Sequence, residues 1–303
     1  MLGESVYYTL EQRKILVTGP LCDSLDAMRI RVAIQGQQAS FHDIAAHHLL
    51  GADIELVYCD TFDATFAALA KDKADKVVVA LENSLYGSIN QTYDLLLKHS
   101  FWISGELYLH VNQCLIGLPD THLPDIKEVH SQIMALAQCE AFLDKQLPYA
   151  KRIEQHDTTA SVQAIKTWND PQKVAIASAE AAKLHGLKIL AAEIEDHKHN
   201  YTRFVLLGKE TVVNSAANKT SLVLTTDHKP GALYHALGIF AKGNMNLTKL
   251  QSRPIMGKAW HYMFYLDVDA AAESPEFKIV LEKLHNQGCE VTILGSYEAG
   301  RQT

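Results

Sequence analysis

The sequence predicts an α/β protein with a domain of two lobes, followed by a smaller domain of different strand order. Over residues 29–208, short apolar strands alternate with amphipathic helices, a rhythm typical of parallel sheets covered by helices. A polar segment then precedes the order β-α-β-β-α-β, which is the ferredoxin-like unit. A chain of 303 residues also suggests two domains.

The first lobe begins with a strand over residues 29–34, which alternates, becomes apolar and ends before Gly36. Helical spacing follows over residues 41–50, and Gly51 closes this helix. The remaining elements complete a β-α-β-α-β rhythm and add one helix. They are a strand over 54–59, a helix over 61–71, a strand over 76–81 and a helix over 89–98.

The second lobe lies between crossover connections near residues 105 and 190. Its pattern predicts strand material over 102–116, a strand over 128–130, a helix from Ser131 to about 147, a helix over 158–167, a strand over 173–177 and a helix over 178–186. A strand over 204–207 returns to the first lobe. We therefore expect a two-lobe domain over 28–208, with lobe 1 at about 28–105 and 190–208 and lobe 2 at about 106–189. A cleft between two lobes is a common ligand site.

Three further segments complete the predicted organisation. Residues 1–27 form an N-terminal extension of uncertain status, and we hypothesise that Met28, which precedes the first clean strand, is the natural start. Residues 209–219 form a linker. The smaller domain covers 220–300, with strands at 221–226, 247–252, 261–268 and 290–297 and helices at 232–242 and 275–288.

Composition and motifs exclude several classes of function. The formal charge is −7 and no Lys/Arg run occurs, so a nucleic-acid partner is not expected. No apolar run approaches the roughly 18 residues that span a membrane, and no secretory signal is recognisable. Five scattered cysteines without a CxxC pair indicate reduced thiols in a cytoplasmic protein. The His47-His48 and His197/His199 pairs lack the spacing of metal ligands, and no dinucleotide or phosphate loop is present, so we expect neither metal nor cofactor.

The run Thr202-Arg203-Phe204 stands where a polar turn meets an apolar strand. Open α/β sheets usually build their ligand sites at strand ends. A threonine offers a proton or a hydrogen bond, and an arginine can grip a carboxylate with two hydrogen bonds. Strand alternation predicts that Thr202 and Arg203 point to opposite faces. The alternative is a strand that merely begins with these two residues.

Four other polar segments stand at strand ends or helix starts. They are Gly36 to His42 with Ser40, Glu82-Asn83-Ser84 to Thr92 with Ser88, Ser131 to Cys139, and Asp157-Thr158-Thr159-Ala160. Backbone amides at a helix N-terminus attract anions, so each segment can bind a ligand. Each can equally be a simple helix cap, and we expect Ser40, Ser88 and Ser131 to cap the helices that follow them. We expect the Cys139 thiol to be packed rather than reactive.

Taken together and in this order, the segments resemble the prephenate dehydratase family over nearly all of residues 28–297. The segments that match best are Glu82-Asn83-Ser84 with Gly87-Ser88, Asn200 with Thr202-Arg203-Phe204, and Lys229-Pro230-Gly231-Ala232-Leu233. Of four departures, those at residues 37, 39 and 132–134 concern substrate contacts more than the class of reaction, and the fourth lies in the C-terminal domain. The chain has Gln37 for Pro, Ala39 for Gly, Gln132-Ile133-Met134 for His-Pro-Gln, and Gln251 for Glu.

The resemblance implies a type II, periplasmic-binding-protein-like two-lobe catalytic domain followed by a regulatory ACT domain. It implies conversion of prephenate to phenylpyruvate without a cofactor, with phenylalanine as feedback inhibitor and a homodimer or homotetramer as the assembly. The resemblance implies catalytic roles for Thr202, Glu82 and Ser88. It implies substrate binding by Ser40, Asn83, Ser84, Thr159, Arg203 and Phe204. It implies that the phenylalanine site is formed by Pro230, Gly231, Ala232, Leu233, Asn246, Gln251, Ser252, Arg253 and Pro254.

Three alternatives remain at the level of the sequence. The chain can be an arogenate dehydratase, because the departures concern substrate contacts. It can be a non-catalytic two-lobe sensor of amino acids, although the retained Glu82 and Thr202-Arg203-Phe204 count against this. It can be a two-lobe solute-binding protein with an ACT tail, although the missing signal peptide counts against that. The smaller domain can also be a bare dimerisation module.

Overall fold

A computed structural model describes residues 29–303, so the predicted extension over 1–27, Cys22 and Met28 lie outside the described residues. The strands are β1 (Ile30–Gln35), β2 (Ile54–Cys59), β3 (Lys76–Asn83), β4 (Gly87–Ser88), β5 (Trp102–His110), β6 (Cys114–Gly117), β7 (Glu128–Ser131), β8 (Lys151–Glu154), β9 (Lys173–Ala177), β10 (Lys188–Ala191), β11 (Tyr201–Gly208), β12 (Lys219–Thr225), β13 (Leu247–Pro254), β14 (Tyr262–Val268) and β15 (Glu290–Tyr297).

The helices are α1 (Phe41–Leu50), α2 (Phe62–Ala70), α3 (Asn90–His99), α4 (Ile133–Gln138), α5 (Glu140–Gln146), α6 (Thr158–Trp168), α7 (Ala179–His185), α8 (Ala232–Lys242) and α9 (Pro275–Asn286). They follow the predicted order except that one predicted helix is divided into α4 and α5, and strands β4, β8 and β10 were not predicted. No helix among residues 29–303 is long and apolar enough to cross a membrane.

Lobe 1 is built on a sheet with the strand order β2-β1-β3-β11-β5, and β4 pairs with β3. The central β3 is a nearly continuous apolar run, as expected of a strand with both faces covered. Strands β1, β2 and β3 are parallel, whereas β11 runs antiparallel to β3 and β5. The carboxyl ends of β1 and β3 and the start of β11 therefore meet at one edge of the sheet.

Lobe 2 is built on a second sheet with the order β10-β6-β9-β7-β8. The chain passes from the first sheet to the second between His110 and Cys114 and returns between Ala191 and Tyr201. The two-lobe α/β class is confirmed.

Several local predictions were wrong. The strand material over 102–116 is two strands in different sheets, β5 and β6. The helix over 131–147 is α4 and α5, and Ser131 belongs to β7, where its hydroxyl donates to the Ile176 carbonyl at 2.6 Å. Helix α3 has Ile89 at its N-cap without a side-chain hydrogen bond, so Ser88 does not cap it. Ser40 does cap α1, because its hydroxyl accepts from the Asp43 amide.

The C-terminal domain has the predicted β-α-β-β-α-β order, with the sheet order β13-β14-β12-β15. Helices α8 and α9 cover one face of this sheet. The other face packs on lobe 1, where Tyr265, Leu294 and Tyr297 share a buried core with Tyr93 and Ile103. The residues after β15 then lie along β5, since Tyr108 N donates to Arg301 O at 3.2 Å and Thr303 N donates to Tyr108 O at 3.0 Å. This domain is therefore joined to lobe 1 over an extended surface.

Candidate active site

A bulge in β3 decides which polar side chains face the cleft. In the pairing of β11 with β3, Arg203 lies opposite Glu82 and Thr202 opposite Asn83, but Phe204 lies opposite Ala80. Leu81 is thus the extra residue of a β-bulge, a feature common beside active sites. Strict alternation would place Asn83 on the same face as Leu81. The bulge instead turns Asn83 to the face of Thr202.

Two side chains hold the bulge in place through the backbone of Ala80. The Ala80 N–H donates to His42 Nε2 at 3.3 Å, and the Thr92 hydroxyl donates to the Ala80 carbonyl at 2.9 Å. Burial lowers the pKa of His42 to about 4, so the ring is neutral and can accept this hydrogen bond. The ring also meets Phe204 edge to face, with centroids 5.0 Å apart.

Asn83 orients the hydroxyl of Thr202. The Asn83 side-chain amide donates to Thr202 Oγ1 at 3.0 Å and to Asn200 Oδ1 at 2.8 Å. Its own oxygen accepts from the backbone amides of Leu85 and Tyr86, which fixes the direction of the side chain. Because Thr202 Oγ1 already accepts, its proton is available to a molecule in the cleft.

Two further buried donors, one beside Asn83 and one in lobe 2, have no hydrogen-bond partner among residues 29–303. Asn200 Nδ2 and the Thr159 hydroxyl are both buried and unpaired. Thr159 belongs to lobe 2, in the first turn of α6, whose N-cap Asp157 accepts from the Ala160 amide at 2.9 Å. Buried donors normally have a partner, so these two fit a ligand that supplies acceptor oxygens.

The loop after β1 contacts lobe 2. Gly36 has φ +101°, and a β-carbon built on it would lie 3.3 Å from Ser40 Oγ and 3.5 Å from Asp157 Oδ2. Ser178 in lobe 2 donates to the Ala39 carbonyl at 2.8 Å. The N-termini of α1 and α6 therefore lie on opposite sides of one interface between the lobes, where their partial positive charges favour an anion.

Of the predicted substrate contacts, Asn83 and Thr202 are hydrogen-bonded to each other, and the Thr159 hydroxyl is unpaired. Others make hydrogen bonds or contacts that stabilise the fold. The Ser84 hydroxyl donates to the His199 carbonyl at 3.0 Å and accepts from the Tyr201 amide at 2.9 Å. Phe204 is buried in the core beneath α1. Reasoning from the sequence missed Asn200 and His42, although both stand in the quoted motifs.

The remaining predicted residues of β3, β4 and β11 face the C-terminal domain. Arg203 is 2% exposed and pairs with Glu106 of β5 at 2.7 Å and with Asp267 of β14. Glu82 forms an ion pair with Lys249 of β13 at 2.7 Å, and Ser88 contacts Gln251 and Lys249. The predicted opposite orientation of Thr202 and Arg203 is what the structure shows.

A cavity lies in the C-terminal domain, and part of the predicted phenylalanine site lines it. Its volume is about 370 Å³, and its lining residues include Pro230, Ala232, Leu233, His228 and Tyr262. Gly231, with φ +82°, begins α8 beside it.

Period-two alternation divides the other predicted residues of β13. Gln251 and Arg253 face lobe 1, where Arg253 pairs with Asp94 at 2.6 Å. Ser252 and Pro254 are exposed on the other side, and Asn246 donates to Asp269 at 2.7 Å. Within one chain, these residues do not line the cavity that contains Pro230.

No group of three or more His, Cys, Asp or Glu side chains among residues 29–303 is arranged to hold a metal ion. Cys139 is buried, and burial raises the pKa of its thiol, as expected of a packed cysteine.

The fold and the site together define a class: a two-lobe α/β enzyme domain with an ACT domain packed on β3 and β11. The ACT domain lies on the face opposite to Thr202 and Asn83. A family model for prephenate dehydratase matches residues 32–212. The chain belongs to the prephenate dehydratase family.

Two relatives match over most of their length. The chain is 35% identical to arogenate dehydratase/prephenate dehydratase 2, chloroplastic, from Arabidopsis thaliana, covering 94% of this chain and 77% of that one. It is 34% identical to a bifunctional chorismate mutase/prephenate dehydratase from Aquifex aeolicus, covering 91% of this chain and 75% of that one.

Two solved structures are similar throughout. Prephenate dehydratase from Arthrobacter aurescens in complex with L-Phe has a TM-score of 0.80 and 29% identity, covering 90% of each chain. A protein described as a novel type of quorum quenching acylase also has a TM-score of 0.80, with 30% identity over 89% of this chain and 98% of that one.

Proposed function

We propose that this chain converts prephenate to phenylpyruvate, with release of carbon dioxide and water. The observation that carries the proposal is the Thr202 hydroxyl, which accepts from Asn83 and keeps its proton free at the sheet edge between the lobes. In this reaction the ring C–O bond breaks as the ring carboxylate leaves, and the electron pair of the broken C–C bond completes the aromatic ring. The departing hydroxide takes up one proton and leaves as water.

Thr202 assists the departure of the hydroxyl group. A threonine hydroxyl is a poor acid, so it acts mainly as an oriented hydrogen-bond donor to the oxygen on which charge develops. Asn200 Nδ2 and the Thr159 hydroxyl are unpaired donors for the carboxylates of the substrate. Interactions with the departing carboxylate must not be stronger in the ground state than in the transition state, because only preferential binding of the transition state accelerates the reaction.

An arogenate dehydratase is the second candidate, since the name of the Arabidopsis relative includes both activities. Arogenate carries an amino group where prephenate carries the side-chain ketone, and the ring chemistry is the same. Purified protein should be assayed with each substrate, and the ratio of kcat/KM values decides between them. Calorimetric binding of either compound without turnover would favour a non-catalytic sensor instead.

Thr202→Ala and Thr202→Ser test the role of the hydroxyl. We expect Thr202→Ala to lower kcat by about 10²-fold to 10³-fold, as for loss of one donor to a developing oxyanion, with a smaller effect on KM. Thr202→Ser should retain most of the activity. A kcat near that of the wild type in Thr202→Ala would remove Thr202 from catalysis.

Amide hydrolysis, suggested by the similarity to the quorum quenching acylase, is less compatible with this site. A hydrolase of that kind needs a nucleophile beside a general base. The side chain next to the Thr202 hydroxyl is the Asn83 amide, which is a donor and not a base.

The cavity beside Pro230 is the proposed binding site for phenylalanine as a feedback inhibitor. The complex of the Arthrobacter protein with L-Phe supports this assignment. We further propose that the protein is cytoplasmic and forms a homodimer or homotetramer, in which β13 of a neighbouring subunit brings Ser252 and Pro254 to the cavity. Calorimetry with phenylalanine tests the binding site, and absent binding would favour a bare dimerisation module. Light scattering of the eluted protein tests the assembly.

A further inference from the structure

The paired ends of β3 and β11 carry two sets of side chains on opposite faces. Thr202 and Asn83 lie opposite each other and are joined by a hydrogen bond on the cleft face. Arg203 and Glu82 also lie opposite each other, but they face the ACT domain. In the sequence, Glu82 is therefore adjacent to Asn83, and Arg203 is adjacent to Thr202.

Arg203 is fixed by both domains. Its Nε donates to Glu106 of lobe 1 at 2.7 Å, Nη1 donates to Asp267 of the ACT domain, and Nη2 donates to the Tyr297 hydroxyl at 2.8 Å. Lys219 of the ACT domain adds a second cation, whose Nζ lies 2.9 Å from Glu106 Oε1. The four charges balance, and all four residues are at most 5% exposed.

Glu82 is fixed from the same side. Lys249 Nζ lies 2.7 Å from Glu82 Oε1 and donates to the Ser88 hydroxyl at 2.9 Å. Ser88 in turn donates to Gln251 at 3.3 Å. The Lys249 side chain is 8% exposed and the Glu82 side chain 33%, so this pair is partly shielded from water.

These ion pairs restrict how the ACT domain can sit on lobe 1. Removing one partner of a buried pair leaves an uncompensated charge, which is strongly unfavourable. A displacement of β13 or β14 must therefore carry Glu82 and Arg203 with it or break their pairs. Since neighbouring residues of a strand share a backbone, such a displacement also changes the geometry between Asn83 and Thr202.

We propose that Arg203 and Glu82 are positioning residues, through which Asp267 and Lys249 of the ACT domain set the alignment of Thr202 and Asn83. This inference rests on the proposed function, because it assigns the regulation of that same site. A molecule bound in the ACT domain changes turnover to the extent that it favours one placement of these two counter-ions over another.

Lys249→Met removes one counter-ion, and Lys278→Met is the matched control. Lys278 makes an exposed ion pair with Glu273, also at 2.7 Å, within the ACT domain. We expect Lys249→Met to lower kcat by on the order of tenfold to a hundredfold through misalignment, with KM changed by less than about threefold. Lys278→Met should leave both unchanged. Lys249→Arg, which keeps the charge, should retain most of kcat.

Glu82→Gln and the charge exchange Glu82→Lys/Lys249→Glu keep the test decisive if Lys249→Met folds poorly. Glu82→Gln should lower kcat as Lys249→Met does, and the exchange should recover most of it. Both kcat and its response to phenylalanine should change together in Glu82→Gln. An unchanged kcat in Glu82→Gln, or no recovery in the exchanged pair, would overturn the inference.

Hydrogen exchange measured by mass spectrometry separates this inference from the proposed function. Over residues 80–90 and 198–206, Lys249→Met should exchange faster than the wild type and Lys278→Met should not. Equal exchange in both variants would overturn the positioning role even if the enzyme is active. A wild type that converts neither prephenate nor arogenate would refute the proposed function, and the exchange data would still decide the positioning role.

Discussion

Acidification should destabilise the fold through His42, because the ring must be neutral to accept the Ala80 N–H. Burial lowers the pKa of His42 to about 4, whereas an unfolded histidine titrates near about 6.5. Between these values the unfolded chain binds a proton that the folded chain does not. The stabilisation is therefore complete above about pH 6.5 and is lost as the pH falls toward about 4.

The size of this effect follows from the two pKa values. A gap of about 2.5 pH units, at about 1.36 kcal/mol per unit, corresponds to roughly 3 kcal/mol in the free energy of unfolding. Linkage assigns about 2 kcal/mol of this loss to the range from about pH 8 to about pH 5. Part of the His42 side chain reaches the surface, so screening by water makes these upper values.

Urea unfolding of the wild type and of His42→Gln measures the effect. Glutamine offers an acceptor for the Ala80 N–H but does not titrate, so the wild type should lose up to about 2 kcal/mol more than the variant between about pH 8 and pH 5. His42→Leu leaves this N–H unpaired and should cost about 1–3 kcal/mol at pH 8. Parallel pH profiles for the wild type and His42→Gln, or a ring pKa near 6.5 in an NMR titration, would refute the reasoning.

Three other substitutions test the site and the domain contact. Asn83→Leu leaves the Thr202 hydroxyl without its donor, so kcat should fall by about tenfold or more, and an unchanged kcat would contradict this orientation. Thr159→Val removes an unpaired buried hydroxyl, so KM should rise while the melting temperature stays equal or increases, and a lower melting temperature would show a structural role. Gly295→Ala would place a β-carbon 2.1 Å from the Ile103 carbonyl oxygen, so limited proteolysis should release the ACT domain faster than from the wild type.

The order of most elements was predictable because each of these depends on local pattern. The apolar run of β3, the alternation in β1 and the cap at Ser40 are visible in short windows of sequence. Errors arose where tertiary contacts divided a continuous pattern. Residues 102–116 look like one strand, but the chain leaves one sheet for the other after His110.

The roles of the site residues were only partly predictable. The sequence places Glu82 and Asn83 side by side at a strand end, and both look equally suited to a ligand. The bulge at Leu81 sends Glu82 toward Lys249 and Asn83 toward Thr202. Because His42 accepts from Ala80 across 38 positions of the chain, no local signal reveals the bulge.

The sequence by itself determined the α/β class and the order of most elements, and it placed the candidate site segments and the Thr202 hydroxyl at strand ends, since residue types and their spacing encode these. Only the tertiary structure decided which neighbour faces the cleft. Side-chain direction changes by a half-turn with each residue of a strand, so one bulge reverses it. The assignment of Arg203 and Glu82 to the ACT face likewise depends on Asp267 and Lys249, whose positions are set by how the two domains pack.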